Sequence, residues 1–260
     1  MDWSLGYQEL APPAALRPSV SCLWVGVAPP AGEPATVVLP DACVDLIWEH
    51  GRGVYVAGPD TGPVPSLSPA GTVLAAVRFA PGAAGPALGM PMSVLLNQRV
   101  AASDLGTAQG MALARALPGS LAPAEALRVL TRAAAAMSAD GPADPVAAHT
   151  TRLLRRPGAR AEDIAGRLDV SERQLRRRCQ AAVGYGPATL RRVLRFRRFV
   201  SWTDGGAPGD DLASAAAQLG YADQAHLTRE CVRLAGLTPT ALLAARRPAP
   251  MNSTPQVRLT

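Results

Sequence analysis

Between residues 161 and 239 one pattern is written twice. Ala165, Leu168, Leu175, Arg177, Cys179, Gly184 and Pro187 recur as Ala216, Leu219, Leu227, Arg229, Cys231, Gly236 and Pro239, at an offset of 51 to 52 residues. Each copy spells a short helix, a tight turn and a second helix: AEDIAGRL, DV, SERQLRRRCQAAV, and then DLASAAAQL, GY, ADQAHLTRECVRLA. That order is helix-turn-helix grammar, duplicated. Ser171 and Gln174 make a capping box that fixes the start of the first copy's second helix. Gly184 and Gly236 stand where a left-handed residue ends a helix.

At 100° per residue the two faces of each second helix separate. Leu175, Cys179 and Ala182 point inward in the first copy, and Arg173, Arg176, Arg177 and Gln180 form the outer arc. In the second copy Leu227, Cys231 and Leu234 point inward, and Ala225, Thr228, Arg229 and Val232 face out. An α-helix fits the major groove of B-DNA, where Arg takes guanine and Gln takes adenine bidentately, so the first helix is expected to be the dominant reader. Arg178, beside the inward arc, is expected in a salt bridge or on a phosphate. Between the copies PATLRRVLRFRRFVSW is one helical pattern. Leu190, Val193, Leu194, Phe196 and Val200 form its apolar side, with Arg191, Arg195 and Arg198 on another face.

The charge distribution agrees. Residues 1–148 hold seven arginines against eleven acidic residues, a balance of −4, whereas 149–260 hold 19 arginines against nine, a balance of +10. Basic charge confined to one part is the footprint of a polyanion-binding domain joined to a domain with another job. The chain contains no lysine, so the choice of Arg over Lys carries no extra meaning.

The first part reads as β. VSCLWVGV, ATVVLP, CVDLIWEH, GVYVAG and TVLAAVRFA are short apolar runs separated by Pro, Gly and Asp turn signals, a spacing that suggests a sandwich or small barrel. From Ser93 the texture turns helical, through SVLLNQRV, AQGMALARAL and PAEALRVLTRAAAAM. Leu127, Leu130, Ala134 and Met137 form one stripe that either packs on the β domain or meets a second subunit. The expected fold class is thus α+β: a β-rich sensor domain over 1–92, a helical connector and candidate dimerisation element over 93–137, a linker over 138–144, an all-α DNA-binding domain over 145–247, and a disordered tail over 248–260.

Several classes of function are disfavoured. MDWSLGYQEL has neither a basic leader nor an apolar core of a signal segment, and no apolar run is long enough to cross a bilayer, so a cytoplasmic, nucleoid-associated protein without a membrane partner is expected. Cys22, Cys43, Cys179 and Cys231 lack CxxC spacing, and His50, His149 and His226 form no cluster, so no metal and no cofactor are expected. Cys179 and Cys231 read as small buried apolar residues. No GxSxG elbow and no PCHR-like cysteine motif supports an enzyme fused to the DNA-binding part, and no catalytic residue is assigned.

Residues 145–247, with IAGRLDVSERQLRRR and LGYADQAHLTRECVRLAGLTP, resemble the DNA-binding domain of the AraC/XylS family of transcriptional regulators. The resemblance implies seven helices and two recognition helices on double-stranded DNA, with base contacts from Arg173, Arg176 and Arg177, and from Gln224, His226, Thr228 and Arg229. The family usually has Phe where Cys179 and Cys231 stand and an aliphatic residue at Arg178, so packing under both recognition helices is expected to be filled differently. PDACVDLIW, AGPDTGP and VRFAPGAAG resemble an uncharacterised sensor-type domain found ahead of such domains, similar in architecture to the family's cupin-like arm.

In the first part, an alternating strand puts Asp41, Cys43 and Asp45 on one face with Ile47. These residues either line an effector pocket, with Trp24 and Arg78, or bond turns and the Arg78 guanidinium. Trp24, Trp48, Tyr55 and Phe79 read as core aromatics first and pocket walls second. A regulator responding to a small-molecule effector is expected. A redox sensor acting through Cys22 and Cys43 is the alternative, and an RNA polymerase partner follows only if the chain activates transcription.

Overall fold

The computed structural model describes residues 6–31, 37–139, 143–204 and 212–246. Its first part is one six-stranded antiparallel sheet in the order β1-β2-β7-β4-β5-β8. The strands are β1 (Gln8–Leu10), β2 (Val20–Val27), β4 (Val44–Glu49), β5 (Gly53–Ala57), β7 (Val73–Phe79) and β8 (Arg99–Ala101). A separate two-stranded ribbon pairs β3 (Val37–Val38) with β6 (Val64–Pro65). The α+β division expected from the sequence is what the chain adopts.

Every residue of β4 and β5 is buried, because the sheet is covered on both sides. One face carries Leu23, Val25, Leu46, Trp48, Val56, Val77 and Phe79 into the main core. That core is closed by α1 (Ala84–Leu88) and α3 (Pro123–Ala139), while α2 (Ala108–Ala116) adds Leu113. Leu127, Leu130, Ala134 and Met137, the apolar stripe of α3, all lie in this core. The stripe therefore packs on the sheet, and burying it leaves none of those four side chains for a second subunit. The opposite face holds a smaller cluster of Cys22, Trp24, Ile47, Tyr55, Leu74 and Ala76, with Tyr7 against it.

Two local readings are corrected. SVLLNQRV is not a helix: a 3-10 turn at Met92–Leu95 is followed by β8. Asn97 sits at φ 57, in the left-handed region that ends a helix, and its amide and side chain bond Pro59 and Thr61 instead. The segment 138–144 is not a continuous linker either, since Ser138 and Ala139 finish α3 and Asp144 caps the next helix. Residues 140–142 and the tail from 247 lie outside the described residues.

Seven helices among the described residues build the second part. They are α4 (Pro145–Leu154), α5 (Ala161–Arg167), α6 (Glu172–Val183), α7 (Pro187–Asp204), α8 (Leu212–Gln218), α9 (Gln224–Ala235) and α10 (Pro239–Arg246). Their boundaries follow from side-chain chemistry. Asp144 Oδ1 accepts from the Val146 and Ala147 amides at the start of α4, and Pro145 fits the first turn, where no N–H partner exists. Ser171 and Gln174 form both bonds of the capping box. Gly184 (φ 94) and Gly236 (φ 71) close α6 and α9.

The core of these helices includes Leu175, Cys179, Phe196, Phe199, Leu227, Cys231 and Leu234, and Leu39, Ala42 and Leu96 of the first part pack into it. Cys179 and Cys231 are fully enclosed, filling the positions under α6 and α9 as small apolar groups.

Candidate nucleic-acid interface

Helix α6 presents the expected outer arc. Arg173, Arg176 and Arg177 are exposed and Gln180 is half-buried beside them, while Leu175 and Cys179 are buried behind. Arg178 turns aside to Asp144, at 3.3 Å, so it clamps the start of α4. On α9, Gln224 and Arg229 are exposed and Thr228 is half-buried with its hydroxyl bonded to the Gln224 carbonyl. Val232 stands 49% exposed, an apolar side chain on an outward arc. His226 differs from its neighbours: Arg195 Nη2 donates to its Nε2 at 3.1 Å, and its ring meets Tyr221 edge-on at 5.4 Å. It thus faces the interior of the unit as much as the surface.

Beneath α9 lies a buried charged network that the helical pattern of α7 concealed. Arg195 is enclosed rather than on an outer face. It pairs with Glu230 at 2.9 Å, donates to the Gly220 carbonyl and stacks over Tyr221 at 4.3 Å. Arg192 holds the other Glu230 oxygen at 2.8 Å. Arg198 donates to the carbonyls of Arg155 and Leu219, and Arg191 to that of Ala159. The arginines of α7 therefore fasten the ends of α4 and α8, placing cationic donors on helix C-terminal carbonyls. At 18 residues α7 is about 27 Å long, a rigid spacer between the units. The signal in the sequence was Glu230 itself, an acidic residue between Leu227, Cys231 and Leu234 on an inward arc.

The five candidate pocket residues divide between two cavities. Trp24, Asp45 and Arg78 line a cavity of about 220 Å3 on the sheet face under the β3–β6 ribbon, with Tyr7, Tyr55 and Arg99. Asp41, Cys43 and Arg78 line a cleft of about 390 Å3 between the two parts, facing Arg155, Arg197 and Arg198. Asp45 takes Arg78 bidentately at 2.9 Å and accepts from Trp24 Nε1 at 3.0 Å. Asp41 Oδ1 caps the Cys43 amide at 2.8 Å. Burial alone would push the pKa of the Arg78 guanidinium down, and the Asp45 and Asp41 charges more than reverse it, so the residue stays charged. Burial pushes the Cys22 thiol up to about 12, and burial with the Asp41 charge pushes Cys43 well above its ordinary range. Thiols held protonated are poor nucleophiles, which weighs against a redox role.

Among the described residues no group of three or more His, Cys, Asp or Glu side chains could hold a metal, and no helix is long and apolar enough to cross a membrane.

Comparison with known proteins decides the class of the second part. Residues 164–245 match the model of a helix-turn-helix domain. The C-terminal region carries an AraC-type helix-turn-helix domain. Residues 8–101, ahead of it, match a domain of unknown function (DUF6597). No curated protein matches the chain.

Among solved structures, ToxT from Vibrio cholerae O395 aligns over 85% of this chain and 97% of its own, at 13% identity and a TM-score of 0.45. An unsaturated fatty acid bound ToxT from Vibrio cholerae strain SCE256 aligns over 86% and 96%, at 11% identity and a TM-score of 0.41. The C-terminal domain of AraT, a response regulator from Geobacillus stearothermophilus, aligns over 42% and 91%, at 16% identity and a TM-score of 0.38. The match to a helix-turn-helix domain supports a DNA-binding regulator of transcription.

Proposed function

We propose that the chain reads a specific duplex site with α6 and α9 in successive turns of the major groove, and that a small molecule held in the N-terminal domain sets its affinity for that site. The exposed arc of Arg173, Arg176 and Arg177 on a capped helix carries the first half of this reading. Three guanidiniums without a carboxylate partner among the described residues supply both phosphate attraction and bidentate guanine contacts. The effector is assigned to the cavity under the β3–β6 ribbon, where Trp24, Tyr7 and Tyr55 give apolar walls and Asp45, Arg78 and Arg99 a few polar groups, the composition expected of a small-molecule site. Effector binding would shift the populations of DNA-competent arrangements.

The test is selection of bound duplexes from a random pool by the full chain, followed by titration of the selected site. Arg173→Ala or Arg177→Ala is expected to cost roughly 1 to 3 kcal/mol on that site and to relax base preference at one position. An equal loss on every sequence would reassign these arginines to phosphate contacts.

A further inference from the structure

The cleft between the two parts has walls of opposite charge. On the sheet side stand the carboxylates of Glu9 and Asp41, beside an Arg78 already gripped by Asp45. Glu9 Oε1 accepts from the Tyr7 hydroxyl at 2.6 Å and from Arg78 Nη1 at 3.5 Å, and Oε2 has no partner among the described residues, so the single Arg78 guanidinium answers three carboxylates, Glu9, Asp41 and Asp45. Asp41 Oδ2 has only Arg78 Nε, at 3.6 Å. On the helical side stand Arg155 at the end of α4 and Arg197 and Arg198 on α7. Among the described residues none of these three guanidiniums has a carboxylate within 4.0 Å. Among the described residues Arg198 bonds main-chain carbonyls alone, and its buried Nε has no partner.

Uncompensated charge facing a cavity is costly unless something answers it. The two walls do not answer each other directly, since a cleft of about 390 Å3 lies between them. A simple anion would meet the arginines but be repelled by Glu9 and Asp41. A simple cation would suffer the reverse. A molecule with an ammonium at one end and a carboxylate at the other satisfies both walls, and the volume lies in the range of small-molecule sites.

We infer that this cleft binds a small zwitterion of the amino-acid class, its carboxylate on Arg197 and Arg198 and its ammonium on Glu9 and Asp41. The site shares Arg78 with the effector cavity proposed under the β3–β6 ribbon and is otherwise lined by different residues. Because the ligand touches both parts at once, it holds the N-terminal domain against α7, the helix that spaces the two helix-turn-helix units.

The experiment is calorimetric titration of the full chain with the twenty protein amino acids and 4-aminobutyrate, each singly. At least one is expected to bind saturably, and its N-acetyl and methyl ester forms to bind at least tenfold more weakly. Glu9→Gln and Arg197→Gln are expected to weaken it by a similar factor, with Arg155→Gln in reserve should Arg197→Gln fail to fold. Arg52→Gln, which lines only the cavity under the ribbon, is expected to leave binding unchanged. No binding by any member of the panel, or equal binding of the N-acetyl form, overturns the inference. Loss of binding in Arg52→Gln alone overturns it too, and leaves the effector reading standing.

Discussion

Pro59 lies so close to Gly184 that a Cβ on the glycine would come within 2.5 Å of the proline Cγ. Gly236, its counterpart in the second unit, faces Pro63, with 3.7 Å for the same hypothetical atom. The turns that end α6 and α9 therefore meet one loop of the N-terminal domain. That loop is tied down: Asn97 N donates to the Pro59 carbonyl at 3.0 Å, Thr61 N donates to Asn97 Oδ1 at 2.8 Å, and Asp60 pairs with Arg99 at 2.6 Å. Arg99 also lines the cavity under the ribbon, which puts that cavity one ion pair away from the contact with both units.

Gly184→Ala should therefore cost more than Gly236→Ala. Both place a Cβ on a left-handed residue, worth about 1 to 2 kcal/mol, but only the first also drives it into Pro59. Urea denaturation of the full chain should show a loss of roughly 2 kcal/mol or more for Gly184→Ala and about 1 kcal/mol for Gly236→Ala. Equal losses would mean that the loop yields and the contact with Pro59 sets nothing.

Glu230→Ala should be among the most damaging substitutions in the second part. It strands Arg195, which is enclosed with Tyr221 and His226, without its countercharge. Removing one partner of a buried pair typically costs about 3 to 5 kcal/mol. Arg192→Ala, removing only the half-exposed partner, should cost about 1 kcal/mol. Thermal unfolding that ranked the two equally would show that Arg195 finds other compensation.

Alkaline pH should weaken the fold from the ordinary thiol range upward, with the buried tyrosines adding to the decline as pH nears their ordinary 10.0. Burial is the main cause holding Cys22, Cys179 and Cys231 at about 12, against an ordinary 9.0. Between those values the folded chain keeps protons that the unfolded chain releases, so stability falls as pH rises through the ordinary value and onward. Denaturation midpoints should drop from pH 8.5 to pH 10. The Cys179→Ala, Cys231→Ala double variant should start lower but show a shallower decline. An unchanged slope would assign the decline to other groups.

How much of this was legible depends on whether the information was local. The capping box of Ser171 and Gln174, the glycines closing α6 and α9, and the apolar run of β2 are each written within a few residues, and they stand where the pattern put them. Strands β1, β6 and β8, two or three residues each, have no pattern long enough to read and exist because a neighbour pairs with them. SVLLNQRV failed as a helix because Asn97 answers to Pro59 and Thr61, nearly forty residues away in sequence. Strand alternation grouped Asp41, Cys43 and Asp45 with Ile47, but β4 begins at Val44, so only Asp45 and Ile47 share its face, and the pairing of β4 with β7 is what sets Asp45 against Arg78. The cleft was not legible, because its other wall comes from α4 and α7, and no local rule brings Arg197 opposite Asp41.

The unequal recognition helices should leave an unequal operator. Helix α6 exposes Arg173, Arg176 and Arg177, whereas α9 exposes Gln224, Ala225, Arg229 and Val232, with His226 partly engaged by Arg195. Long cationic donors suit guanine O6 and N7, and a good bidentate pair discriminates by about 1 to 3 kcal/mol. Ala225 and Val232 offer methyl groups that suit thymine or a reading of groove shape, which tolerates more sequences. The two halves should lie about one duplex turn, roughly 34 Å, apart, the G-rich half strictly specified and the other permissive. Saturation mutagenesis of the selected operator, scored by competition against the parent site, measures the information in each half. Equal content in both halves, or the greater content in the half protected by residues 222 to 234, would show that outward chemistry does not rank the two helices.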